Sequence, residues 1–294
     1  MEKQAICTEK LTKFYGKARG IRELDLTVAP GEFFGFIGPN GAGKSTTIRT
    51  LLGLIRPTSG EAYIFGKNVT VKPELIRREV GYLPSEAAFY SGMRVSEILK
   101  LSADLRGKDC GAEAKRLCER LELDTTRKVN ELSFGNRKKA AIVCALQSEP
   151  SLLILDEPTS GLDPLMQREF FDILRERNKN GATVFLSSHV LSEVQHNCAR
   201  AAIVREGTVI ACDSVDSLAR ANAKRVTLCG TAELSGLEGV RDIQKTDGGA
   251  SFLFSGETEE LLKRLSEGKI LDLTISEPDL EEIFLHYYRK EDEK

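Results

Sequence analysis

Three short runs of the chain are built around consecutive apolar residues: FFGFI (33–37), LLIL (152–155) and TVFLSS (183–188). They are as long as strands and carry no charge. A strand that is apolar on both faces must be covered on both, so these runs predict inner strands of a parallel sheet. Between them apolar positions recur at three- and four-residue intervals over 45–54, 95–105, 113–121, 137–147 and 167–178. That is the spacing of one helical stripe. Strands alternating with helices predict an α/β layered fold. Residues 86–150 carry only helical patterns, which predicts a helical subdomain inserted into the sheet domain. Ala202 to Ala211 reads as a hairpin turning at Glu206-Gly207.

The texture changes after about residue 222. RVTLCG, SFLFSG and ILDLTIS read as strands, and TEELLKRLSEG as a helix between them. The ending EPDLEEIFLHYYRK places Leu280, Ile283, Phe284, Tyr287 and Tyr288 on one helical stripe, with Ser276 and Asp279 as a capping box and Pro278 in the first turn. The expected organisation is therefore a first domain over 1–222, with its helical subdomain at about 86–150. A small α+β accessory domain over 223–294 follows.

Composition narrows the class. The chain has 294 residues, 41% hydrophobic and 29% charged, which suits a folded protein with a sizeable core. Its formal net charge is −2, and acidic residues outnumber basic ones in the last part, so a general affinity for nucleic acid is not expected. No stretch approaches the ~18 apolar residues that cross a bilayer. The start, MEKQAICTEK, has no apolar run behind its charges and is no secretion signal. The seven cysteines are scattered with no CxxC pair, as expected of reduced thiols in the cytosol, and they read as small core fillers.

The chemistry is concentrated at four places. GPNGAGKST (38–46) follows a predicted strand and opens a predicted helix. Its glycines let the backbone curl so that several N–H groups face a phosphate, and the helix start adds its positive end. Lys44 can reach β- and γ-phosphates, and the Ser45 hydroxyl can ligate Mg²⁺, a metal that takes oxygen ligands. LLILDEP (152–158) ends an apolar strand in two carboxylates, at the edge where parallel sheets bind ligands. Asp156 is placed to hold Mg²⁺ and Glu157 to accept a proton from an attacking water. TVFLSSH delivers His189 to the same edge, for γ-phosphate contact or water positioning. ELSFGNRKK (131–139) starts a helix with Ser133 at or near its cap, and helix starts attract negative charge. Arg137, Lys138 and Lys139 then stand in a first turn that mildly disfavours cations. A solvated helical face or a nearby triphosphate accounts for them.

In the order GPNGAGKST, LSFGN, LLILDEP, SGLDP, SSH, the chain resembles the nucleotide-binding subunits of ABC transporters over roughly residues 5–215. The resemblance implies an α/β P-loop NTPase fold of the ABC ATPase type. It implies ATP and Mg²⁺ as ligands, with Gly38, Pro39, Asn40, Gly41, Ala42, Gly43, Lys44, Ser45 and Thr46 around the phosphates. It matches Tyr15 to the aromatic that stacks on adenine and Asp163 to the acidic residue that communicates across a dimer. It also matches Ser133, Gly135 and Asn136 to the LSGGQ turn that caps the γ-phosphate of ATP bound to the opposite subunit. Two departures stand out. Phe134 is bulky where the family has glycine, and Asn136 replaces glutamine. Ser85, in GYLPSEAAFY, stands where the family usually has a glutamine touching Mg²⁺ and water; serine is shorter, so any metal contact there needs a bridging water.

The function this implies is ATP hydrolysis driving a separate membrane permease, from the cytoplasmic face of the cell membrane, as a homodimer or a heterodimer with another ATPase subunit. Segment 86–110 is the expected docking surface. The ending PDLEEIFLHYY is similar to the tails of ABC-2 type ATPases, which export drugs, antibiotics or lipids. The alternatives are a soluble ABC ATPase acting on a non-membrane partner, which usually has two cassettes or a long coiled-coil insertion, and a poorly hydrolysing regulatory subunit, against which Glu157 and His189 speak.

Overall fold

The computed structural model of the chain describes residues 4–276 apart from 17, 220–223, 232, 233, 235, 236 and 247. It divides into two compact units, Met1–Cys212 and Asp213–Lys294.

The first unit opens with two long paired strands, β1 (Ile6–Tyr15) and β2 (Ala18–Val28), then β3 (Phe33–Ile37) and α1 (Lys44–Leu51). Next come β4 (Ser59–Ile64), β5 (Lys67–Asn68), α2 (Pro73–Glu79) and β6 (Val80–Leu83). Three helices follow with no strand between them: α3 (Val95–Arg106), α4 (Gly111–Arg120) and α5 (Phe134–Leu146). Alternation then resumes with β7 (Leu152–Asp156), α6 (Pro164–Lys179), β8 (Thr183–Ser188), α7 (Leu191–Asn197), β9 (Arg200–Arg205) and β10 (Thr208–Ser214). The β9–β10 turn is the expected one, with Glu206 and Gly207 both left-handed at φ 50° and 83°.

Six strands form one sheet in the order β10-β9-β3-β8-β7-β6, and the pairs from β9 to β6 are parallel. Every residue of β3, β7 and β8 is buried, including Asp156 at the end of β7 and Thr183, Ser187 and Ser188 in β8. The register matters most. Ile37 pairs with Ser188 and Asp156 with Ser187, so the three strands finish level. The segments that follow them, beginning at 38, 157 and 189, leave the sheet side by side.

A second, antiparallel sheet, β2-β1-β4-β5, packs onto the first unit's core. Ile6, Leu24, Phe34, Phe36, Ile48, Leu51, Ile154 and Phe185 belong to one buried cluster that joins both sheets through α1. The sequence reading does not assign β1 or β2. Pairing shifts between Thr8 and Leu11, Leu11 and Lys13, and Lys13 and Tyr15 break the two-residue period on which strand recognition depends. Helix ends also move. α1 stops at Leu51, because Gly53 takes a left-handed turn at φ 63°. α5 begins at Phe134, directly after its cap Ser133.

The second unit contains α8 (Val215–Ala219), β11 (Lys224–Thr231), β12 (Val240–Thr246), β13 (Gly249–Phe254), α9 (Thr258–Ser266) and β14 (Lys269–Ser276). The strands form an antiparallel sheet in the order β12-β13-β11-β14. Val226, Leu228, Phe252 and Phe254 make its core with Leu261 and Leu265 of α9. The strand missing from the sequence reading is β12. Its segment VRDIQKT carries Arg241, Asp242 and Lys245, charges that an edge strand tolerates. The apolar stripe from Leu280 to Tyr288, with Pro278 and Asp279, lies outside the described residues. None of the seven cysteines is in a disulfide. Cys110, Cys118 and Cys198 are buried, but Cys212 is exposed and fills no core.

Candidate functional site

The loop after β3 can exist only because its glycines have no side chains. A Cβ on Gly38 would lie 2.5 Å from the Val204 carbonyl, and one on Gly43, at φ 105°, would lie 2.9 Å from that of Gly20. Gly41 is also left-handed, at φ 82°, and stands with Asn40 at the exposed crest. Ala42 closes a turn by donating its N–H to the Pro39 carbonyl at 3.2 Å. No side chain caps α1, so the N–H groups of its first turn, at Lys44, Ser45 and Thr46, are available to an anion. The Lys44 side chain is buried and folds back into the loop. Its Nζ donates to Gly38 O at 2.5 Å and Pro39 O at 3.2 Å, and pairs with Glu157 Oε1 at 3.2 Å.

β7 delivers the carboxylates. Asp156 is buried, and Ser187 Oγ donates to its Oδ1 at 3.2 Å. Burial pushes the Asp156 carboxyl above its ordinary range, against hydrogen bonds from Ser45 and Ser187. The Ser45 hydroxyl and the Asp156 carboxylate thus form an adjacent set of hard oxygen donors, the chemistry that Mg²⁺ takes. Glu157 is left-handed at φ 49°, a rare state for a residue with a side chain. Its N–H donates to Ser187 O at 3.0 Å. Its Oε2 lies 2.6 Å from Nδ1 of His189, whose ring is half-exposed beyond β8. An ionised carboxylate can only accept, so in this contact Nδ1 carries a proton and donates it.

The other expected residues form a second group. Ser133 caps α5, its Oγ accepting from the Asn136 N–H at 3.3 Å. Asp163 caps α6, accepting from the N–H groups of Leu165 at 3.1 Å and Met166 at 3.0 Å. The two caps are neighbours. A Cβ on Gly135 would lie 2.7 Å from the Gly161 carbonyl, and one on Gly161 would lie 2.2 Å from the Phe134 ring. Among the described residues no hydrogen bond or ion pair links Ser133, Gly135, Asn136 or Asp163 to residues 38–46 of the same chain. Tyr15, at the end of β1, is 44% exposed, with Lys13 Nζ 5.4 Å from its ring centre.

Two residues matter here that sequence reasoning missed. Of the three cations at the start of α5, Lys138 alone is buried, at 2% exposure, and its Nζ donates to three carbonyls: Pro84 at 3.1 Å, Ser85 at 2.9 Å and Glu157 at 3.0 Å. Burial pushes its ammonium down to about 8, against the pull of Asp156 and Glu157. Helical register carried the signal, because Lys138 shares a stripe with buried Ala141, Ile142 and Ala145. Arg137 reaches back to Leu132 O at 3.0 Å instead. Ser85 presents its backbone oxygen to Lys138 and borders a cavity of about 260 Å³ with Glu86, Ala87, Phe134 and Arg137. The second missed residue is Glu193 of α7, which accepts from Thr159 Oγ1 at 2.5 Å and Ser188 Oγ at 2.8 Å and so ties the ends of β7 and β8 together.

A glycine loop at a helix start, level with two carboxylates and a histidine on a parallel sheet, defines a nucleotide-hydrolysing cassette. Residues 21–160 match the ABC transporter family. The chain is 38% identical over 226 residues to the bacitracin transport ATP-binding protein BcrA of Bacillus licheniformis, covering 74% of this chain and 72% of that protein. It is 31% identical over 300 residues to the Nod factor export ATP-binding protein I of Rhizobium etli, covering 99% and 95%. Among solved structures it is similar to the ATP-binding subunit of an ABC transporter (TM-score 0.69, 32% identity, 74% of this chain and 92% of that one). It is also similar to a dimeric cassette in a post-hydrolysis state bound to ADP and Pi (TM-score 0.66, 25% identity, 71% and 98%). The chain belongs to the ABC transporter family and is its ATP-binding, ATP-hydrolysing subunit. ATPases of this family dimerise and work with a transmembrane partner. No helix among the described residues is long and apolar enough to cross a membrane.

Proposed function

We propose that this chain hydrolyses ATP with Glu157 as the general base and thereby drives export through a separate permease. The observation that carries this is the Glu157 carboxylate, held between Lys44 at 3.2 Å and His189 at 2.6 Å, at the mouth of the phosphate loop. Gly38 to Thr46 wrap the phosphates, and Lys44 moves from Glu157 to the β- and γ-oxygens. Ser45 and Asp156 would hold Mg²⁺, which would supply charge neutralisation to the phosphate oxygens. Glu157, released from Lys44, takes the proton of the attacking water, and His189 fixes the carboxylate and contacts the γ-phosphate. Tyr15 stacks on adenine. Any contact of Ser85 with the metal would need a bridging water.

Ser133, Gly135 and Asn136 of a second subunit cap the γ-phosphate, with Asp163 beside them communicating across the interface. ATP then joins two subunits, a second copy or a different ATPase chain, and its hydrolysis lets them part. The ATPase domain spans residues 1–222, and its helical part, 86–150, meets the permease at the cytoplasmic face of the membrane through residues 86–110. Residues 223–294 form the accessory domain. The names of the relatives, bacitracin transport and Nod factor export, favour a drug-, antibiotic- or lipid-like cargo.

Glu157→Gln tests the reading. Turnover should fall about 10²–10⁴-fold, the usual contribution of a general base, while ATP still binds and a persistent ATP-bound dimer accumulates. Native hydrolysis in that variant, by phosphate release, would reject Glu157 as the base.

A further inference from the structure

A buried ammonium is costly unless each of its hydrogens finds an acceptor. Lys138 meets that condition with three carbonyls, and they come from two separate loops. Pro84 and Ser85 follow β6, whereas Glu157 follows β7. Lys138 itself belongs to α5, the helix that Ser133 caps. One cation therefore joins the start of α5 to both loops at the carboxyl edge of the sheet.

The contact with Glu157 falls where it has most effect. A left-handed residue with a side chain keeps that conformation only when its surroundings fix it. At Glu157, φ 49°, the N–H is held by Ser187 O and the carbonyl by Lys138, with a longer contact from the Ser160 N–H at 3.4 Å. Released from Lys138, the Glu157 peptide can relax toward ordinary backbone angles, and the carboxylate turns with it.

We propose that Lys138 is a positioning residue that holds Glu157 in line for proton abstraction and couples its position to the first turn of α5. The inference rests on the reading of Glu157 as base and adds to it. Engagement of Ser133 and Gly135 by a partner's nucleotide moves the end of a helix whose fifth residue grips the base's own backbone. Dimer closure is thereby felt at the base through a single side chain.

The test uses the full chain with K138M, which removes all three donors, and K138Q, whose amide keeps two. For K138M, kcat should fall about 10–100-fold while the dissociation constant of mant-ATP stays within threefold, and K138Q should lie between K138M and the unsubstituted enzyme. In an E157Q background, single-turnover hydrolysis should lose nothing further when K138M is added, because the two residues act as a unit. A folded K138M with kcat within threefold of normal overturns the proposal. So does a parallel loss of kcat and ATP affinity, which marks general damage to the site. If K138M does not fold, judged by circular dichroism, K138Q decides by the same criteria. If E157Q itself turns over normally, the base reading falls and takes this inference with it. If E157Q is inactive while the Lys138 variants are normal, only the role of Lys138 falls.

Discussion

At Lys44 the ammonium is held by two carbonyls and a carboxylate, and a nucleotide triphosphate competes with all three. The triphosphate concentrates more charge than Glu157, so the lysine is expected to change partners. Lys44→Ala should therefore weaken ATP binding by roughly 1.5–3 kcal/mol, the worth of a hydrogen bond to a charged group, or about 10–100-fold by calorimetry. Unchanged affinity would contradict the assignment of the loop. The neighbouring cations teach a different lesson at this scale. Arg137, Lys138 and Lys139 look alike as sequence, but Arg137 turns back to its own helix start while Lys138 is buried under two loops. Net charge and helix-end preference gave no way to separate them; helical register did, through the buried residues that share the stripe of Lys138.

Between elements, the start of α5 meets the loop before α6 through two glycines and one ring. Phe134 packs where a Cβ on Gly161 would stand, and Gly161 is left-handed at φ 81°. Two costs therefore attach to Gly161→Ala. Left-handed backbone costs an alanine about 1–2 kcal/mol. Overpacking against the ring adds about 1–3 kcal/mol. Phe134→Gly removes the second cost and leaves the first. Thermal melts of the two single variants and the double variant should thus give a coupling of about 1–3 kcal/mol, and ATPase lost in G161A should partly return in the double variant. Strict additivity would show that the ring and the loop are independent. The unusual phenylalanine was legible in the sequence, but its counterpart at Gly161 was not, since 27 residues separate them and only the packing of α5 on the loop brings them together. The strands divide the same way. β3, β7 and β8 announce themselves because burial on both faces leaves consecutive apolar residues and no charge before their ends. β1 hides behind its bulges, and β12 behind the charges of an edge.

For the molecule as a whole, the residues expected around one triphosphate fall into two groups. Residues 38–46 gather with Asp156, Glu157 and His189, and Ser133, Gly135 and Asn136 gather with Asp163. A second subunit is the proposed means of bringing the groups onto one nucleotide. Ser133→Arg, made with Glu157→Gln to prevent turnover, should abolish ATP-dependent dimers in light scattering while ATP still binds the monomer. Dimers of that variant in ATP would count against a role for Ser133 between subunits.

The phosphate loop, the inner strands and the Ser133 cap of α5 follow from local chemistry. Glycine freedom, apolar runs and capping side chains act within a few residues, so their consequences can be read locally. Which carbonyls the buried lysine meets, how β3, β7 and β8 end level, and what grips Glu157 depend instead on the packing of distant segments. The carbonyls that hold Lys138 lie 54, 53 and 19 residues from it along the chain, and no local preference reaches that far.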